Sequence, residues 1–427
     1  MRNRLLIFFV AMVVVMGVIA GCGITKEASK EEKIAEQSTK EGSQKVTLRM
    51  TYWNSKDTVD ALLAYIEEAV PEVKIEYQYI DNSNYNTVVD AQLSAGEGAD
   101  IICESPASAH KHARLGYLQE LNELGGRYSA AGTSVYTYDG NIYALPGISW
   151  FEGVYFNKDL FKQYNIEVPA TFDEYIAVCK RFQEAGIKPL AAGLMSWEPM
   201  LKNSLAFLSA EYFSTPEGRM FNGDYREGKV VMSGTVNSYL EKWSEMITEG
   251  IYTTEMLGID HSQALDEFAT GKAAMFCSGP WDYNAIMEKN PSLNIDMMPF
   301  FGTTPSEGWL IGGPGCGFAV NALSDNVELA MKVLDALTTV EGQIALWENN
   351  QGGSSYLNGA DFELPDAYDS ASLALNAGNV YCPWNEWGEA AAAHEAYGME
   401  FQAYLEGQDL ETTLRNIDAA VEDLLSK

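Results

Sequence analysis

Basic residues are scarce in this chain: 28 Lys and Arg stand against 60 Asp and Glu among 427 residues, a formal charge of -32. Phosphate backbones are held by clustered cations, so nucleic acid is excluded as a partner. Histidines number four (His110, His112, His261, His394) and are too scattered for a metal centre. His110 and His112, two apart and on opposite sides of a helix, read as solvated. Cysteines number six, with no C-x-x-C spacing to support zinc. Beyond Cys22, the five others (Cys103, Cys179, Cys277, Cys316, Cys382) are odd in number, which excludes a complete disulfide framework. They read as small buried hydrophobes, with one optional disulfide left open. There is no G-x-S-x-G, H-E-x-x-H, Walker loop or strand-to-helix G-x-G-x-x-G, so no catalytic residue, metal ligand or cofactor is assigned. Carboxylates are too abundant for the sequence to exclude a glycosidase-like pair. The longest apolar run, Leu5 to Ile19, has 15 residues, short of the roughly 20 a membrane span needs.

What is present begins with that run. Preceded by Arg2 and Arg4 and followed by Ala20-Gly21-Cys22, it has the layout of a signal peptide over residues 1–21. The ending resembles the bacterial lipobox, which implies diacylglyceryl transfer to the Cys22 sulfur and cleavage before it; the added acyl chains, palmitate-like, would hold the protein on a membrane. Residues 22–45 read as a lipidated tether: from Gly23 to Lys45 there are five Lys, five Glu and no aromatic residue. Removing the two arginines and five lysines upstream leaves 21 basic against 55 acidic residues from Val46 onward, a charge of -34. With 47% hydrophobic and 21% charged residues, the remainder is globular and long enough for two or three domain-sized units.

From Val46 strand and helix patterns alternate. Val46 to Trp53 and Val73 to Tyr79 suit strands, a polar helix starts near Tyr85, and Asp100 to Cys103 suits a short buried strand. That order predicts an α/β fold with a mainly parallel sheet. Thr171-Phe172-Asp173-Glu174 is a capping box opening a helix that Gly186 stops. Several tryptophans stand beside polar residues rather than on periodic apolar faces: Trp53-Asn54, Trp150-Phe151-Glu152, Trp197-Glu198, Trp281-Asp282, Trp309, and Trp384-Asn385-Glu386-Trp387. An indole can cover the C–H face of a sugar while a neighbouring Asp, Glu or Asn accepts its hydroxyl protons. Trp243 and Trp347 fall within helical periodicity and read as packing.

Four stretches then resemble the extracellular solute-binding proteins of sugar-importing ABC transporters, the maltose-binding type (family 1). They are Gly140-Asn141-Ile142-Tyr143-Ala144-Leu145-Pro146 with Tyr155 to Phe161 and Val168 to Glu174; Phe268 to Met275 with Gly279-Pro280-Trp281; Gly312-Gly313 through Phe318-Ala319-Val320; and Leu93 to Ile101 with Gly116-Tyr117-Leu118. The resemblance implies the type II periplasmic-binding-protein fold, two α/β lobes with a hinge and an interlobe cleft. By its motifs the N-terminal lobe would hold 46–152 plus 303–348 and the C-terminal lobe 153–302 plus 349–427, the crossings falling near 152–154, 299–302 and 347–352. Family ligand contacts map onto Trp53, Asn54, Glu104, Trp150, Trp197, Trp281, Gly312, Gly313 and either Trp384 or Trp387; Asp282 and Trp309 join them from the aromatic pattern. The implied protein is no enzyme: a monomer, lipid-anchored through Cys22 to the outer face of a Gram-positive cytoplasmic membrane, it would bind a carbohydrate and deliver it to an ABC permease. The alternatives are a surface lipoprotein glycoside hydrolase or lyase, and the same fold with a non-sugar solute.

Overall fold

The computed structural model describes residues 45–426 apart from 83, 349–352 and 388–392. The signal, Cys22 and all of the tether before Lys45 lie outside the described residues. In β1 (Val46–Tyr52) Leu48 and Met50 point inward while Arg49 points out. Its guanidinium donates to the carbonyls of Glu97 (3.1 Å) and Gly98 (2.6 Å), so the solvent face is stapled to the loop entering the next strand. β2 (Val73–Tyr79) pairs with β1 in parallel from Val46↔Val73 to Tyr52↔Tyr79, and β3 (Ile101–Glu104) pairs with β1 on its other edge. Helices Asp60–Ala69 and Tyr85–Ser94 make the crossovers. The expected β-α-β-α-β order is therefore present.

A minor hairpin follows, β4 (Thr137–Tyr138) with β5 (Asn141–Ile142), and then β6 (Leu145–Pro146). β7 (Trp150–Asn157) is the centre of a second sheet and is buried at every position after Trp150. It is flanked by β9 (Ala273–Ser278), β10 (Ile295–Met298) and β11 (Leu310–Gly313), with β8 (Lys188–Ala191) beyond β9 and β13 (Val380–Tyr381) beyond β11. β12 (Gly317–Val320) returns to the first sheet, whose order is β2-β1-β3-β12-β6. Helices cover both sheets, and their apolar stripes build separate cores. Leu48, Ile101, Val320 and Leu334 belong to one, and Val154, Phe182, Leu205 and Ile417 to another.

Strand membership moves the crossings. A ladder cannot be shared between two lobes, and Phe151 and Glu152 already pair with Gly312 and Ile311 in the second sheet. The first crossing is therefore 147–149, not 152–154, and the second is 314–316, between β11 and β12, not 299–302. Residues 303–313 thus go with the second lobe. Leu357, Ala360 and Phe362 still pack in the first core, whereas Leu364 and Ala367 pack in the second lobe. The third crossing lies at 363 rather than at the expected 347–352, of which 349–352 fall outside the described residues. The crossing strands bond one another: Gly147 N donates to Cys316 O (2.8 Å) and Ser149 N to Ser354 O (2.8 Å). A Cβ on Gly353 would stand 1.9 Å from Ser149 O, so this close approach needs glycine.

The helix Phe172–Glu184 is capped as expected, Thr171 Oγ1 accepting from Glu174 N at 3.2 Å, and buries Phe172, Ile176, Cys179 and Phe182. The Glu174 carboxylate reaches Ala170 N rather than Thr171 N. All five described cysteines are buried free thiols.

Candidate functional site

In an open α/β sheet, ligands meet the carboxyl ends of strands where the crossovers leave in opposite directions. In the first lobe that point lies between β1 and β3, whose ends carry Trp53-Asn54 and Glu104. The half-buried Trp53 ring stands perpendicular to Tyr85 at 5.0 Å. The Tyr85 hydroxyl donates to Thr51 O (3.1 Å), which fixes that edge. The Asn54 carbonyl accepts from Tyr77 Oη (2.6 Å).

Glu104 is 1% exposed, and its Oε1 lies 2.7 Å from His112 Nδ1. The other ring nitrogen of His112 faces Asp90 Oδ1 at 2.8 Å. Each ring nitrogen thus faces a carboxylate oxygen. Burial alone would lower its pKa, but the two carboxylates outweigh burial and raise it. Burial raises the Glu104 pKa, with His112 opposing. Glu104 Oε2 is buried without a hydrogen-bond partner. The reading of His112 as solvated is thus corrected: residues 106–114 form a helix whose inner face turns His112 under the strand end.

The second lobe contributes the aromatic surface. Trp150 opens β7 just after the first crossing, Trp281 follows β9 in the turn Pro280–Asp282, and Trp384 lies in the short helix Pro383–Glu386. The Trp150 ring is 6.3 Å from Trp281 and 5.6 Å from Trp384. Lys202 Nζ sits 6.0, 5.9 and 5.7 Å from the rings of Trp150, Trp281 and Trp384. This lysine projects from helix Glu198–Leu208 and is held by Glu152 Oε2 at 2.9 Å and Glu198 Oε2 at 2.8 Å. Burial would lower the Lys202 pKa, yet the two carboxylates lift it above that of an ordinary lysine. The same ammonium lowers the Glu198 pKa.

Glycines make the assembly possible. A Cβ on Gly312 would meet Trp150 O at 2.3 Å, and one on Gly313 would meet Cys382 Cβ at 3.0 Å, pushing away the segment that carries Trp384. Asp282 is buried and committed: its Oδ2 accepts from Ser278 Oγ and from His261 Nε2 (2.6 Å). It braces the turn that presents Trp281. Trp281 is 41% exposed, so its face is open.

The other expected tryptophans of this lobe are not among the rings around Lys202. Trp197 precedes the Lys202 helix and packs on the second core, with Gly398 against its backbone; Trp309 bridges to Phe300 and packs on the same core. Trp387 is fully buried, donates to Asn222 Oδ1 (2.9 Å) and stacks on His394 at 4.7 Å. It is a packing residue, and of the two late tryptophans Trp384 alone joins the rings around Lys202. Trp243 is likewise buried, its indole N–H on Asn203 Oδ1 (2.7 Å). The sequence offered Glu152 and Glu198 only as polar neighbours of Trp150 and Trp197, and Lys202, His261 and Asp90 were missed. Only the i,i+4 spacing of Glu198 and Lys202 was a local signal.

The lobes approach across this region: Cα atoms of Pro106–Arg114 come within 8 Å of those of Pro383–Glu386. Three indole faces, a caged ammonium and a buried carboxylate suit a ligand with flat apolar faces and a polar rim.

Residues 52–344 match the family described as bacterial extracellular solute-binding protein. The multiple sugar-binding protein of Streptococcus mutans is 22% identical over 76% of this chain and 77% of its own. The galactooligosaccharide-binding protein of Bacillus subtilis is 22% identical over 74% and 72%. Among solved structures, the RafE solute-binding protein in complex with raffinose superposes with a TM-score of 0.77 at 18% identity, covering 89% of this chain and all of that one. The fold is the type II periplasmic-binding-protein fold expected from the sequence.

Proposed function

The chain belongs to the bacterial extracellular solute-binding proteins, and from that premise we propose that it captures a carbohydrate, an oligosaccharide, between its two lobes for an ABC permease. The observation that carries this reading is the convergence of Trp150, Trp281 and Trp384 on one ammonium at the lobe edge. A pyranose stacks its C–H face on an indole and exchanges hydrogen bonds around its rim. In this reading the half-buried Trp53, at the end of β1, meets the ligand from the first lobe. Ligand touching both lobes stabilises the closed form over the open one, and reopening on the permease releases it. The names of the two curated relatives, both sugar binders, support the ligand class.

The protein performs no chemistry in this reading. The carboxylates nearest the cage, Glu152 and Glu198, share one ammonium, and the lowered Glu198 pKa disfavours the protonated acid that glycoside hydrolysis needs. It acts as a monomer tethered by acyl chains on Cys22 to the outer face of a Gram-positive cytoplasmic membrane. Calorimetry and thermal shift against raffinose, maltotriose, chitotriose and galacto-oligosaccharides test the binding claim, since ligand raises the melting temperature by mass action. Silence across the panel, or product after prolonged incubation, overturns it.

A further inference from the structure

Lys202 is an ammonium with two of its three protons spoken for. Glu152 Oε2 (2.9 Å) and Glu198 Oε2 (2.8 Å) take two, and no hydrogen-bond partner for the third occurs among the described residues. The three indoles stand around the nitrogen at 5.7–6.0 Å. A lysine pairing only for stability would turn its head to water; this residue is 9% exposed and its head sits among aromatic faces.

We propose that Lys202 determines specificity by donating its remaining proton to an uncharged oxygen of the ring stacked on the cage, so that the receptor takes neutral glycan ends and rejects uronates. This deepens the carbohydrate reading and rests on it. Charge balance supplies the selectivity. The ionisable groups around the cage are Glu152, Glu198 and Asp282 against Lys202 and His261, a local excess of one negative charge even with His261 protonated. The ammonium is already neutralised by two carboxylates at contact distance, so a third carboxylate, on the ligand, meets net repulsion rather than a counter-ion. A hydroxyl or ring oxygen accepts the proton without that penalty. Among rings of equal shape, the cage thus discriminates by charge.

The test is calorimetry on raffinose, maltotriose and chitotriose, each compared with its counterpart in which one hydroxymethyl is oxidised to a carboxylate. Wild type is expected to bind its neutral ligand at least ~10-fold tighter than the acid. Lys202→Met is expected to weaken neutral binding by about 10- to 100-fold, the range for a hydrogen bond from a charged donor. Glu198→Gln, at a half-buried position, frees the ammonium from one carboxylate and is expected to shift the neutral-to-acid ratio about tenfold towards the acid. A purely structural lysine would not move that ratio. If Lys202→Met fails to fold, Glu198→Gln carries the test. Wild type preferring the acid, or an unmoved ratio in Glu198→Gln, overturns the proposal while leaving carbohydrate binding intact. No binding of any neutral sugar overturns the carbohydrate reading itself.

Discussion

Truncating Trp281 to alanine separates binding from stability. The residue is 41% exposed. An indole side chain presents up to about 250 Å², so about 100 Å² faces solvent. A pyranose stacked on it would cover most of that area. At ~25 cal/mol/Å² the covered surface is worth about 2 kcal/mol, or about 30-fold in Kd. Trp281→Ala is therefore expected to raise Kd about 30-fold by calorimetry against the neutral glycan that wild type binds. Its melting temperature should fall only slightly, because much of the ring is outside the core. Trp387→Ala is the contrast. That ring is fully buried and bonded to Asn222, and its loss is expected to cost about 3–5 kcal/mol of stability. An unchanged Kd in Trp281→Ala refutes the stacking argument, and so does an equal loss of affinity in folded Trp387→Ala.

Three further outcomes follow. Burial lowers and two carboxylates raise the His112 pKa, with a net increase, so its stabilising charge is complete below its unfolded value near 6.5. That contribution fades as pH rises through the folded value; by urea unfolding, the gap between wild type and His112→Asn should be about 3 kcal/mol at pH 6 and narrow towards pH 8.5. A widening gap contradicts the pairing. Gly312→Ala forces a Cβ to 2.3 Å from Trp150 O; melting temperature and affinity should drop together, by about 2 kcal/mol of stability and at least ~10-fold in Kd. Neither moving would show that the close approach does not position Trp150. Cys22→Ala should move the protein from the membrane fraction to the medium; retention on the membrane removes the lipid anchor.

Local pattern made much of the first lobe legible. β2 spans the Val73–Tyr79 predicted from alternation, and the helix from Tyr85 begins where expected. The crossings were not legible, because β7 is buried on both faces and its run WFEGVYFN has no alternation to mark where a lobe begins. In the site, polar neighbours picked out Trp150, Trp281 and Trp384, which the fold brings together, but picked out Trp387 in the same way. Nothing local separates Trp384 from Trp387; burial by Asn222 and His394, both distant or across an unpatterned stretch, does. Lys202 was hidden for a related reason. Its i,i+4 pair with Glu198 looks like a solvated helix face, and the partner that buries it, Glu152, lies 50 residues away. His112 likewise owes its raised pKa to Asp90 and Glu104, which only the folded chain brings to both sides of the ring.

The most direct measurement is a crystal structure of the protein grown with the tightest-binding neutral oligosaccharide. The account predicts an intact glycan between the lobes, one ring face on Trp281 with Trp150 and Trp384 beside it, and a sugar oxygen within hydrogen-bond distance of Lys202 Nζ. A glycan bound away from these indoles, or a cleaved one, would contradict it.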